Sequence, residues 1–217
     1  MSLLIVQHLP EAVLVCTDTL ATTPEGEPYL LVTKCSAVPH LDMVIAGTGV
    51  AELTERWRRA AASQILARDI DMLDRYTPEV LRPTWTELLV EHEGSPPTAS
   101  VYHFGWSWER EEYVGYVYRS TRDFESEPLE PGMRVKPEPV GSFNADDGFV
   151  DLAERIRREQ TELPPEDRIY IGGDLILTAL HERMITTRRL HRFADFEEQW
   201  LLMNATIHRH NEAEPLI

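Results

Sequence analysis

The sequence has few cysteines, few basic side chains and no long hydrophobic run. Cys16 and Cys35 are its only cysteines, too few for a disulfide framework, so we expect a reducing compartment, the cytoplasm. The 21 basic residues are outnumbered by 37 acidic ones, and the net charge of −16 opposes binding to nucleic acids and to anionic membranes. The apolar runs are far shorter than a membrane span, and no basic segment precedes the first run, so neither a transmembrane helix nor a signal peptide is expected.

What the chain does contain is typical of a globular enzyme or binding protein. Its 217 residues are 42% hydrophobic and 27% charged, which suffices for a core and a charged surface. No stretch has the composition of an interdomain linker. We therefore expect one domain over residues 1–217, with a polar C-terminal tail from about residue 205.

The first 34 residues hold the most informative pattern. Three short apolar runs separated by turns predict β-strands, the first two as a hairpin, at residues 3–6, 12–16 and 29–33. Ser2, Asp18 and Lys34 fall at the ends of these runs. Because neighbouring strands lie about 4.8 Å apart, strand ends of one sheet can bring these three side chains to one place.

The spacing of these residues resembles that of the N-terminal-nucleophile hydrolases, in particular the proteasome β-subunit and its simpler bacterial ring homologue. In that family the mature chain begins with Thr, or elsewhere in the superfamily with Ser or Cys. An Asp follows sixteen positions on, and a Lys thirty-two positions on. Asp18 and Lys34 stand sixteen and thirty-two positions after Ser2. The resemblance requires removal of Met1, which is expected when a small residue follows.

Two glycines and a serine further along extend the resemblance. An apolar run leads into Gly47-Thr48-Gly49 and then into an amphipathic helix, a junction that in this superfamily supplies the N–H of the oxyanion hole. The residues alone equally suit a close-packed turn that needs a positive φ. Ser142 precedes a predicted third helix, where the superfamily places a serine near the N-terminal amine. A turn or helix-cap neighbour is the alternative for Ser142.

The remaining periodicity predicts the order of the other elements. Helices are expected from residue 50, after a break at Thr77-Pro78, over residues 146–159 and near residues 195–204. Two aromatic-rich strands around Tyr102 and Tyr116 are expected to have one buried face, and later strands are expected at residues 133–135, 168–171, 175–180 and 184–193. With the resemblance, this order implies an α+β fold, a four-layer α-β-β-α sandwich of antiparallel sheets.

The resemblance implies a specific chemistry. The α-amine of Ser2, with a reference pKa of about 7.7–8.0, would act as the base for its own hydroxyl. The charge of Lys34 would disfavour protonation of that amine, and Asp18 would hold Lys34 in place. N–H groups near Gly47 and Gly49 would stabilise the oxyanion, by about 3 kcal/mol per donor. The implied reaction is hydrolysis of an amide or peptide bond through an acyl-enzyme, with no cofactor and no metal. The resemblance also implies a homo-oligomer, since subunits of the proteasome-like family form rings.

Two other functions remain open. Ser2 replaces the Thr that is usual in the protease branch. Where the family has a downstream Asp and Ser, this sequence has Asp167, one residue out of step, and Ile171. The family's glycine pair is present as Gly172-Gly173. These departures favour a proteasome-like scaffold or assembly subunit without activity. A small-molecule amidase with a shallow site is the third possibility.

Several side chains have a functional and a structural interpretation. His208 and His210 would need a third ligand to bind a metal ion, so we expect them to lie in a solvated tail. Cys16 lies within an apolar run and is expected in the core. An exposed strand face, or else a site for an anionic group or a partner subunit, is expected at Arg188, Arg189 and Arg192.

Overall fold

A computed structural model describes residues 3–23, 26–90, 97–143 and 147–213, with side chains up to residue 206. Ser2 and the histidines His208 and His210 therefore lie outside the described side chains. Across the described ranges, every helix is too short or too polar to cross a bilayer.

The described residues form twelve strands and four α-helices. The strands are β1 Leu4–Leu9, β2 Ala12–Asp18, β3 Leu20–Thr22, β4 Pro28–Leu31, β5 Cys35–Val38, β6 Met43–Gly49, β7 Ala99–Ser107, β8 Glu112–Arg119, β9 Glu127–Leu129, β10 Gly132–Lys136, β11 Asp174–His181 and β12 Met184–Arg192. The helices are α1 Ala51–Ser63, α2 Ile70–Val90, α3 Phe149–Thr161 and α4 Phe196–Ala213.

Ten of these strands build two antiparallel sheets. Sheet A has the order β10-β1-β2-β11-β12, and sheet B has the order β5-β6-β7-β8-β9. Strands β3 and β4 pair separately as a small hairpin. The predicted hairpins at the two ends of the chain, β1-β2 and β11-β12, are both confirmed by their register. The chain is thus α+β with antiparallel sheets.

Three apolar clusters show which surfaces pack together. One joins the facing sides of the two sheets, with Val15 from β2 and Phe104 from β7 among its members. A second lies between the other face of sheet B and helices α1 and α2, and includes the fully buried Trp57. A third joins the other face of sheet A to α3, around Ile156. Each sheet therefore has buried apolar side chains on both of its faces.

The aromatic strands differ from the prediction of a single buried face. Tyr102 and Phe104 face sheet A, as their alternation predicts. Tyr116 and Tyr118 point the other way, into the cluster with the helices. Their hydroxyls donate to Asp71 and Asp74 of α2 at 2.6 and 2.5 Å. Sheet B is buried on both sides, so period-two aromatics occur on each face.

Helix α2 contradicts the predicted break at Thr77-Pro78. It begins at Ile70 and runs through Pro78 and Pro83. Asp69, buried just before it, caps the helix by accepting the Met72 N–H at 2.9 Å. A helix whose face packs on sheet B tolerates prolines that cost an isolated helix about 3 kcal/mol each.

The predicted strand at residues 168–171 is also wrong. Ile169 and Ile171 are buried, but their backbone bonds to side chains of α3 instead of to a neighbouring strand. Gln160 accepts the Ile169 N–H at 2.8 Å, and the Arg157 guanidinium donates to the Ile171 carbonyl at 3.0 Å. Alternation of apolar residues here reflects burial alone. Strands β3, β5 and β9 were not predicted.

Candidate active site

Asp18 is the centre of a buried polar cluster at the end of β2. Its side chain is fully buried. Oδ1 accepts a hydrogen bond from Lys34 Nζ at 2.7 Å and from the backbone N–H of Leu3 at 3.0 Å, while Oδ2 accepts from the N–H of Gly172 at 3.2 Å. Three segments distant in the chain therefore meet at one carboxylate.

Lys34 forms a buried ion pair with Asp18 and lies just before β5. Only 7% of its side chain is exposed. Its ammonium also donates to the carbonyl of Leu20 at 2.6 Å. Burial of an ion pair is costly unless the remaining donors and acceptors are satisfied, and here two acceptors share the ammonium. The sequence spacing predicted this pair, and the structure brings the two residues together.

Gly172 and Gly173 support Asp18 from the loop before β11. The Gly172 carbonyl accepts the N–H groups of Thr19 and Leu20 at 3.3 and 3.2 Å. Gly173 has a φ of +73°, and its N–H donates to Gln199 of α4 at 2.8 Å. A side chain at Gly172 would overlap the Gln199 amide, so this loop requires glycine. Sequence reasoning noted the glycine pair but missed Gln199, which no local pattern marks.

Gly47 and Gly49 lie at the end of β6, beside Lys34. The Gly47 N–H already donates to the Lys34 carbonyl at 3.3 Å, and a side chain there would overlap Thr54 of α1. Gly49 has a φ of +92°. Alternate residues of an antiparallel strand point their N–H groups to the same edge, so the Gly49 N–H points past the start of β5.

A cavity of about 1150 Å³ opens beside these residues. Lys34, Gly47 and Gly49 contribute to its wall, as do the β3-β4 hairpin and the first turns of α1. Tyr170, in the loop after α3, contributes to the wall and packs against Gly26 of the hairpin. The hairpin and Tyr170 were not predicted as parts of the site, because only the folded chain brings them to the cavity.

Ser142 is exposed and does not belong to the wall of the cavity. Its carbonyl accepts hydrogen bonds from the Arg155 guanidinium of α3 at 3.3 and 3.4 Å.

The two cysteines are buried, as expected for Cys16. Burial raises the pKa of each thiol to about 12, so thiolate chemistry at neutral pH is disfavoured. Among the described side chains, no three His, Cys, Asp or Glu residues are grouped so as to hold a metal ion.

The arginines of β12 lie on an exposed edge strand. Arg192 forms an ion pair with Asp174 at 2.8 Å, and Arg189 lies 3.6 Å from the same carboxylate. The structure thus agrees with the interpretation of an exposed strand face.

Comparisons with known proteins show the fold. No family model matches the sequence, and no curated protein matches it either. The structure is similar to that of Anbu from Hyphomicrobium sp. strain MC1, with a TM-score of 0.58 and 12% identity over 99% of this chain and 97% of that chain. Anbu is a proteasome-related protein with a fold like that of the N-terminal-nucleophile hydrolases. At this identity the likeness establishes a proteasome-like fold and nothing about activity.

Proposed function

We propose that this protein is an N-terminal-nucleophile hydrolase that cleaves an amide or peptide bond through an acyl-enzyme on Ser2. The observation that carries the proposal is the Asp18 cluster. One carboxylate holds both the Lys34 ammonium and the Leu3 N–H, and the Leu3 nitrogen is the atom covalently bonded to Ser2. The start of the chain and the cationic side chain are thus fixed to the same group.

The chemistry follows from these positions once Met1 is removed. Ser2 Oγ attacks the substrate carbonyl carbon while its proton passes to the Ser2 amine, and the carbonyl electrons move to oxygen. The Gly49 N–H, which points past the start of β5, donates to that oxyanion. Collapse expels the leaving amine, which takes the proton from the Ser2 ammonium. A water molecule, deprotonated by the same amine, then attacks the ester and releases the acid and free Ser2.

Lys34 acts electrostatically in this scheme. Its positive charge disfavours protonation of the nearby Ser2 amine, which keeps that amine available as a base. Asp18 balances the charge and orients the ammonium. Ser142 remains a proposed neighbour of the amine.

The size of the cavity favours a peptide over a small amide. Pockets for drug-sized ligands enclose about 300–1,000 Å³, and this cavity of about 1150 Å³ exceeds that range.

We further propose that the two sheets and four helices stack as a four-layer α-β-β-α sandwich and that the protein is a cytoplasmic homo-oligomer. The three apolar clusters, one between the sheets and one on each outer face, support the stacking. Assembly rests on the resemblance to ring-forming proteins.

A scaffold without activity is the second candidate. Ile171 occupies the position of a serine in the superfamily, and its side chain is 4% exposed within the cluster beside α3. No hydroxyl is available there to support the Ser2 amine. This departure favours the scaffold.

Labelling with a β-lactone, which acylates a nucleophilic serine, separates the two candidates. We expect one adduct per chain, mapped to Ser2 by peptide mass spectrometry, and none in Ser2→Ala. Ser36→Ala is the matched control, because Ser36 lines the same cavity and should not affect labelling. An unlabelled wild-type chain would establish the scaffold, and an adduct that persists in Ser2→Ala would exclude the proposed nucleophile.

A further inference from the structure

Lys136 is a second cation near the candidate site, and it is partly buried. The chain contains 21 basic residues, but only two are lysines, Lys34 and Lys136. Lys136 ends β10, the edge strand of sheet A, and its Nζ donates to Thr48 Oγ1 of sheet B at 2.9 Å. Thr48 stands between Gly47 and Gly49 and is 3% exposed.

The strand register shows what this bond connects. Lys136 pairs with Leu4 of β1, which points into the cluster between the sheets. Leu4 follows Leu3, whose N–H is held by Asp18. Lys136 therefore joins the part of sheet A that carries the start of the chain to the part of sheet B that carries Gly49.

In the proposed reaction, the nucleophile and the oxyanion donor belong to different sheets. Ser2 precedes β1 of sheet A, and the Gly49 N–H belongs to β6 of sheet B. A shift of one sheet against the other by 1 Å would separate the attacking oxygen from the donor, and misplacement on that scale costs about 10²-fold in rate. A bond between the sheets at this edge opposes such a shift.

We propose that Lys136 is a positioning residue that acts through Thr48 to hold the Gly47–Gly49 segment against the N-terminal strand. This inference rests on the proposed function. It assigns Lys136 no contact with the substrate, and it requires the hydroxyl of Thr48 as the intermediate partner.

The surroundings of Lys136 give the interaction a pH dependence. Burial, and to a lesser degree the charge of Arg119 on β8, lower the pKa of the Lys136 ammonium. Among the described residues, Tyr102 on β7, Glu127 on β9 and Arg134 on β10 are further ionisable groups near Arg119. Because the pKa is lowered, Lys136 loses its charge at a lower pH than an exposed lysine. The positioning should therefore weaken on the alkaline side.

A double-mutant cycle on the full chain tests the inference with the rate of β-lactone labelling at Ser2. Lys136→Met and Thr48→Val should each slow labelling about tenfold, since a hydrogen bond to a charged group is lost, and the double variant should be no slower than either alone. Half-saturating probe concentration should stay unchanged. Lys136→Arg, which keeps charge and donors, should label at nearly the wild-type rate and without the alkaline decline.

The outcomes distinguish this inference from the proposed function. Two outcomes would overturn the role of Lys136, provided that the wild-type chain is labelled. One is a wild-type labelling rate in Lys136→Met, and the other is additive effects in the double variant. Absence of labelling in the wild type would overturn the proposed function instead. In that case NMR of the two lysines, labelled with ¹³C at Cε, tests the bond between Lys136 and Thr48. Thr48→Val should shift the Lys136 signal and leave the Lys34 signal in place. An unmoved Lys136 signal would refute the bond.

Discussion

At the scale of single residues, the candidate site depends on one buried carboxylate. Asp18 is fully buried and accepts hydrogen bonds from Lys34, Leu3 and Gly172. A buried ion pair of this kind contributes little net stability compared with an apolar core, but removal of one partner leaves an uncompensated charge. The same residue therefore has a structural and a proposed catalytic role.

Asp18→Asn should destabilise the protein by about 3–5 kcal/mol, because the Lys34 ammonium would remain buried without a counter-charge. Asp174→Asn is the matched control, since Asp174 pairs with the more exposed Arg192 and should cost at most about 1 kcal/mol. Urea unfolding of the two variants at neutral pH measures both. Equal losses of unfolding free energy in the two variants would show that stability does not depend on the Asp18–Lys34 ion pair more than on an exposed one.

At the scale of elements, helix α1 is tied to sheet B through one polar contact. The Trp57 indole N–H donates to His103 Nε2 at 2.7 Å, and His103 is fully buried on β7. This bond needs a neutral imidazole, because a protonated Nε2 would be a donor facing a donor. Burial lowers the pKa of His103 to about 3. The contact between α1 and sheet B should therefore depend on pH.

The free energy of unfolding should fall as the pH drops from about 6.5 towards 3. In this range the unfolded His103 binds a proton and the folded one does not, so this residue contributes up to about 1.4 kcal/mol per pH unit. His103→Gln should remove that contribution and flatten the curve. The exposed His40, changed to Gln, is the control and should leave the curve unchanged.

Urea unfolding at pH 7, 6, 5 and 4 gives the slopes. A His103→Gln curve parallel to that of the wild type would contradict a neutral, buried His103.

Elements with a strong local pattern were predictable, and elements decided by tertiary contacts were not. Helix α1 begins one residue from its predicted start, because Leu53 and Trp57 repeat at helical spacing. The start of helix α2 was predicted too late, because Pro78 was interpreted as a helix break. The helix begins at Ile70, after the cap at Asp69. The loop around Ile169 has the alternating apolar side chains of a strand. It is not a strand, and the Ile169 N–H donates to the side chain of Gln160.

The same division applies to the candidate site. The family resemblance of their spacing implied the contact between Asp18 and Lys34. The expectation of strand ends in one sheet is wrong, because Asp18 ends β2 of sheet A and Lys34 precedes β5 of sheet B. Gln199, Tyr170 and Lys136 could not be predicted, because they meet Gly173, Gly26 and Thr48, which are distant from them in the sequence, only in the folded chain.

At the scale of the whole molecule, the fold is similar although few residues are identical. The structure resembles Anbu over nearly the whole of both chains at 12% identity. A proteasome-like fold is thus specified here by the pattern of buried faces rather than by particular side chains. Within that fold, the buried Asp18–Lys34 pair and the cavity beside it are what support a hydrolase.

The most direct test of this account compares two forms of the chain that differ only before Ser2. One form carries a removable N-terminal extension, and the other is the same protein after the extension and Met1 have been cleaved off so that Ser2 is first. Both are incubated with the β-lactone and analysed by intact mass spectrometry. We predict one adduct on Ser2 in the cleaved form and none in the extended form, because only a free Ser2 amine can act as the base. Equal labelling of both forms, or labelling of neither, would contradict the account.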